Sequence, residues 1–216
     1  MIGLLLKIIP LDLASTLSPG ILALVIFLLG SKRNPKAKTF ALFLGIFIIG
    51  IIITIVGFTL GKAATIHPHA TELTSIIDLV LGIIFMILAL NLIITKDKKR
   101  DIKEEKGPHL AKWFFVGVII TITNLDALFL NFAAGKEVGQ SNINDLIKII
   151  FLIINLLFFT LPVTLPGFFY LIVPNAASKI LTNLNGLILK YSRFILAVLF
   201  IIFGIYLIIN GAKFFI

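Results

Sequence analysis

Residues Pro10 to Gly20 read PLDLASTLSPG, and they interrupt one of the most apolar parts of the chain. From about Ile2 to Gly30 the run is otherwise mostly Leu, Ile, Val and Phe, long enough to cross a bilayer as a helix. Pro19 has no N–H to give the carbonyl of Ser15, and Gly20 tolerates an open backbone. Backbone groups released at membrane depth need partners from other helices, hydroxyls or water. Ser15, Thr16 and Ser18 carry hydroxyls on the spot. The expectation is a broken helix whose freed carbonyls and amides line a site; a plain proline kink is the simpler alternative.

The rest of the chain has the same character. Of its 216 residues 59% are hydrophobic and 13% charged, with a mean hydropathy of +1.14. Soluble domains are about half apolar and about a quarter charged, so this is an all-α integral membrane protein. Six spans follow from the apolar runs: Ile2 to Gly30, Ala37 to Leu60, Glu72 to Thr95, Ala111 to Gly135, Asn144 to Val173 and Lys190 to Phe214. Continuous runs, rather than ~10-residue alternation, exclude a β-barrel. Asp12 falls where a cleavable signal would need an uncharged stretch, so the first span is expected to be retained. No cysteine is present, which excludes disulfides and thiolate metal sites. The net charge of +9 sits in short loops without interleaved aromatics, a pattern for anionic lipid head groups and not for nucleic acid.

Lys and Arg set the orientation. Fourteen of them lie in or beside the loops after spans one, three and five, and five (Lys7, Lys62, Lys136, Lys148, Lys213) on the other side. The positive-inside rule therefore predicts a multi-pass protein of the cell membrane with both termini outside the cytoplasm. The charged loop 96–110 is cytoplasmic on this reading, and it divides the chain into spans 1–95 and 111–216. Three spans per half is an odd number, so the halves would be inverted repeats, as in many transporters. Adding 114 to each number carries the second and third spans onto the fifth and sixth, and Leu11-Asp12 onto Leu125-Asp126.

Three acidic residues fall inside predicted spans: Asp12, Asp78 and Asp126. A carboxylate at mid-bilayer costs ~2.5–3.5 kcal/mol on insertion scales and usually faces the bundle interior or a cavity. For Asp12 and Asp126, related by the repeat, a proton or cation site is the preferred reading. For Asp78, pairing with a neighbouring helix is an equal alternative. The fourth span carries TITNLDALFLN, with Asn124 and Asn131 two turns apart on one face and Asp126 roughly 160° from Asn124, so all three share a site only if the helix is distorted. In the fifth span, Pro162, Pro166 and Gly167 predict a bent or interrupted helix and a candidate hinge. Gly57 and Gly61 form a GxxxG surface for close helix packing, within the chain or in a homodimer. His67 and His69, in an outer loop, are candidates for metal capture, solvated loop residues being the simpler alternative. No nucleotide loop, HExxH or Ser-His-Asp pattern is visible, so an enzyme and a cofactor are not expected.

Asp12, Ser18-Pro19-Gly20, the basic Ser31–Lys38 loop and FALFLGIFIIG from Phe40 to Gly50 resemble the glycolipid-addressing (GAP) family of the LysE superfamily. The resemblance implies a six-span protein of two inverted three-helix repeats that moves or displays lipids at the cell envelope. Where many relatives have Asn-Pro-Lys in the fourth span, this chain has Asn124-Leu125-Asp126, which suits a cation or proton. TNLDALFL also resembles the cadmium-resistance branch. The leading expectation is a secondary exporter, possessing no ATP site and coupled to a proton or cation gradient. Its site would use Asp12, Ser15, Ser18, Pro19, Gly20, Asn124, Asp126 and Asn131. A divalent-cation efflux protein and a non-transporting scaffold for envelope lipid assembly are the alternatives.

Overall fold

The computed structural model describes residues 2–31, 33–66, 68–94 and 109–215, with the side chains of 66, 68–71, 73 and 174–189 left aside. His67, the side chain of His69 and nearly all of the 96–110 loop therefore lie outside the described residues. Among the described residues there are eight helices: α1 (Ile2–Ser15), α2 (Pro19–Leu29), α3 (Pro35–Ile66), α4 (Pro68–Ile94), α5 (Leu110–Thr123), α6 (Leu125–Gln140), α7 (Asp145–Ile172) and α8 (Pro174–Ala212). Among the described residues four segments are long and apolar enough to cross a membrane alone: Pro35–Thr65, Thr74–Ile94, Asp145–Ile172 and Lys190–Ala212. The pairs α1–α2 and α5–α6 are bent by 49° and 75°, and the count rises to six if each bent pair is one span.

Both breaks have a local cause. α1 ends at Ser15, and the hydroxyls of Ser15 and Thr16 donate to the carbonyls of Asp12 and Leu13, each at 2.7 Å. Pro19 then opens α2 from the first helical position, where its missing N–H is not needed. At the second break Asn124 closes α5 through its N–H to the Ile120 carbonyl (2.9 Å), and its own carbonyl accepts from Leu128 N–H (3.1 Å) as α6 begins.

Two expectations need correction. The interruption expected at Pro162 and Pro166 is absent, α7 being one helix from Asp145 to Ile172. The two prolines are four residues apart, so their lost bonds fall in one row of the helical ladder and the other rows hold the helix. The segment after the fifth span is not an extended loop: α8 starts at Pro174, leaving only Val173 between α7 and α8. Proline at the first helical position explains that start.

The surface is inverted relative to a soluble protein. Phe40, Phe115, Phe168 and Phe194 are all more than half exposed, an apolar envelope that only lipid or a partner surface satisfies. Inside, α4 packs along α8, with Phe85 and Phe200 ring centroids 5.0 Å apart. α3 packs along α5 and α6. The α3–α6 seam is backbone against backbone: Gly57 and Gly61 on α3 face Gly135 and Gly139 on α6. A methyl at Gly61 would strike the Lys136 carbonyl, and one at Gly135 would sit 2.9 Å from the Thr54 carbonyl oxygen. The GxxxG surface of α3 is thus occupied within the chain.

Candidate functional site

The two breaks meet. The side-chain amide of Asn124 donates to the Ser18 hydroxyl at 2.9 Å, joining the end of α5 to the start of α2. Around this contact lies a cavity of about 210 Å³. Ser18, Pro19, Gly20, Asn124 and Asp126 line it, together with Arg193 from α8. Asp126 stands in the first turn of α6, where the unpaired N–H groups of a helix start favour a carboxylate. Arg193 is anchored by a hydrogen bond from Nε to the Leu92 carbonyl, at 3.1 Å. One small space therefore presents a carboxyl, a guanidinium, an amide and a hydroxyl at the meeting point of two opened helices.

The structure divides the expected site residues into three places. Ser18, Pro19, Gly20, Asn124 and Asp126 come together at this cavity. Asp12 and Ser15 do not line it; Asp12 is only 2% exposed and neither carboxyl oxygen has a hydrogen-bond partner. Asn131 sits deeper on α6 in a packing network. Its carboxamide accepts from the Thr54 hydroxyl and donates to the Gly50 carbonyl, and its backbone carbonyl accepts from Asn155, each at 3.3 Å. Pro162 and Pro166 are buried in α7, while Gly167 borders a separate groove on the outside of the bundle. The sequence repeat equates Asp12 with Asp126, but the contact in space joins Ser18 to Asn124, so the two aspartates stand on opposite sides of their breaks.

A second polar cluster was not anticipated as a site. Asp78 is ion-paired with Lys136, both side chains 2% exposed, and also accepts from the Asn210 amide at 2.9 Å. This bears out pairing with a neighbouring helix as the reason for Asp78. Next to it, Lys7 is paired with Glu137 at 2.9 Å and lies over the Tyr206 ring, 5.1 Å from its centre. Lys7, Glu137, Tyr206 and Asn210 line a wider cavity of about 450 Å³ at the other end of α1. The signal is present in AAGKEVGQ, where adjacent charges stand among small residues; in the positive-inside count Arg193 and Lys136 serve only as topology markers. Among the described residues no cluster of three or more His, Asp or Glu exists.

These features define a polytopic helical membrane protein with two broken helices joined at a polar, partly charged cavity. The chain matches the family described as "Sap, sulfolipid-1-addressing protein" over residues 8–213, and it belongs to that family. The likeness read from Asp12, Ser18-Pro19-Gly20 and Phe40–Gly50 is thereby confirmed at the family level. No curated protein and no solved structure matches the chain.

Proposed function

We propose that the protein is a secondary exporter or translocator that moves a lipid-linked or small polar solute across the cell membrane. The observation that carries this reading is the Asn124–Ser18 bond between two helix breaks facing one cavity. Opened helices concentrate free backbone groups and polar side chains where a solute binds at membrane depth. A cavity of about 210 Å³ suits a head group or small solute and leaves lipid chains outside. Arg193 favours an anionic group there, in keeping with the sulfolipid of the family description, and disfavours a divalent cation.

Further features support the reading. Each half starts with a bent pair followed by two unbroken helices, a like order of elements that supports reading the halves as repeats. The Lys and Arg bias places both termini outside the cytoplasm, which puts the Arg193 cavity toward the cytoplasm and the Lys7 cavity toward the outside. Asp12 lies on α1 between Lys7 of one cavity and Ser18 of the other. A buried carboxyl without a partner, between two polar cavities, is suited to carry the coupling proton or cation.

The test is leaflet exchange of an NBD-labelled sulfated glycolipid in phosphatidylcholine vesicles holding the purified protein, read by dithionite quenching. Asn124→Ala and Asp126→Asn are expected to slow exchange by at least about tenfold, equivalent to 1.36 kcal/mol on the barrier. Wild-type rates in both variants, or wild-type vesicles no faster than empty ones, would sink the reading. If instead envelope lipid assembly in cells depends on the loop lysines and not on Asp126, the scaffold reading takes its place.

A further inference from the structure

We propose that the groove between α2, α3 and α7 binds an anionic phospholipid of the surrounding bilayer, with one acyl chain in the groove and its phosphate at Lys36. The groove encloses about 390 Å³, within the range of ligand clefts, about 300–1,000 Å³. It shares no lining residue with either polar cavity, and the site does not depend on whether the protein transports.

The lining is apolar along its length and polar at one end. α3 contributes Lys36, Thr39, Phe40 and Phe43, which lie at i, i+3, i+4 and i+7 and so share one helix face. From Lys36 to Phe43 is about 10 Å at 1.5 Å per residue, so the groove runs from the head-group level into the hydrocarbon. Phe40 and Phe168 are 60% and 65% exposed and form its lips toward the bilayer.

Two observations point to an occupant with an anionic head. Lys36 is exposed in the second residue of α3, and it has no ion-pair partner among the described residues. Thr39, one turn further in, is 6% exposed, and its hydroxyl has no hydrogen-bond partner. A buried hydroxyl without a partner is uncommon, and a phosphate or ester oxygen at this place would supply one. The floor also differs from the helix seams. A methyl at Gly61 meets backbone, whereas one at Gly167 meets nothing within 4 Å. Here the missing side chain leaves a hollow rather than a contact. Lys36 belongs to the lysine-rich side of the protein, where anionic lipids are attracted, and an ammonium binds phosphate as a compact point charge.

Native mass spectrometry of the full chain, released from micelles doped with equal palmitoyl-oleoyl phosphatidylglycerol and phosphatidylcholine, tests the site. Wild type is expected to retain phosphatidylglycerol at least fivefold over phosphatidylcholine. Lys36→Gln, at an exposed position, should reduce that preference to under twofold, and Gly167→Phe should empty the groove of both lipids. Equal retention of the two lipids by wild type, or an unchanged preference in Lys36→Gln, overturns the proposal. So does full phosphatidylglycerol retention in Gly167→Phe, or a shift from dimer to monomer in that variant without lipid loss, which would make the occupant a second copy of the chain.

Discussion

Lys136→Met removes the ammonium that faces Asp78 and should be among the most damaging single substitutions in the protein. Both side chains are 2% exposed, and without Lys136 the Asp78 carboxylate loses its cation and keeps the Asn210 amide at 2.9 Å. Breaking one side of a buried pair costs about 3–5 kcal/mol, because the remaining charge stays buried without compensation. Asp78→Leu should cost a similar amount by stranding the lysine. The double variant, Asp78→Leu with Lys136→Met, replaces the pair by apolar groups and should lie within about 2 kcal/mol of wild type, since such exchanges are often close to neutral. The assay is thermal unfolding in one fixed detergent, followed through the single tryptophan, Trp113, which is buried on α5. At about 2–4 °C per kcal/mol for a chain of this size, each single variant should melt on the order of 10 °C lower and the double close to wild type. Single variants within about 1 kcal/mol of wild type, or a double variant equal to the sum of the singles, would refute the buried-pair argument.

The other expectations concern the same core. Asp12→Leu removes a carboxyl without partners and should raise stability by about 1–3 kcal/mol while abolishing glycolipid exchange; a lower melting temperature would show that Asp12 is satisfied after all. Gly61→Leu forces a side chain into the Lys136 carbonyl and should cost at least the ~1–3 kcal/mol of an overpacked core, whereas Gly167→Leu should melt within about 1 kcal/mol of wild type. Lys7→Met strands Glu137, whose side chain is only 8% exposed, with the Tyr206 hydroxyl at 3.5 Å as its partner among the described residues; melting should fall by about 1–3 kcal/mol, less than for Lys136→Met because the Lys7 end of the pair is 41% exposed. Ser18→Ala gives up the neutral hydrogen bond from Asn124 and should cost about 0.5–1.5 kcal/mol, yet slow exchange as much as Asn124→Ala does.

How much of this was legible in the sequence varies with the physics involved. The break at Thr16–Ser18 is written locally: hydroxyls placed to take up α1's last carbonyls, then proline where a new helix tolerates it. The break at Asn124 has no proline and no glycine; the only signal was polar residues that no single helix face accommodates. At Pro162 and Pro166 the reading of an interruption erred in the opposite direction, since a rule about one proline does not say that two in the same ladder row leave the others intact. The site required distance information that a sequence lacks. An internal shift of 114 relates Asp12 to Asp126 as text, while the Ser18–Asn124 bond spans 106 residues and links different members of the two runs. Arg193 and Lys136 were hidden by the positive-inside rule itself, which counts every cation as a marker of orientation and none as a partner.

The glycine seam between α3 and α6 limits how the protein moves. Backbones in direct contact, with no side chains between them to repack, do not slide by fractions of an ångström; the two helices travel as one piece. α3 comes from the first half of the chain and α6 from the second, and α4 is laid along α8 across the same divide. The helices packed most closely together are therefore not the ones that follow one another along the polypeptide. Each of these packed pairs is stitched from both halves, and a chain cut in the 96–110 loop would give two fragments, each lacking the partner of its long helices.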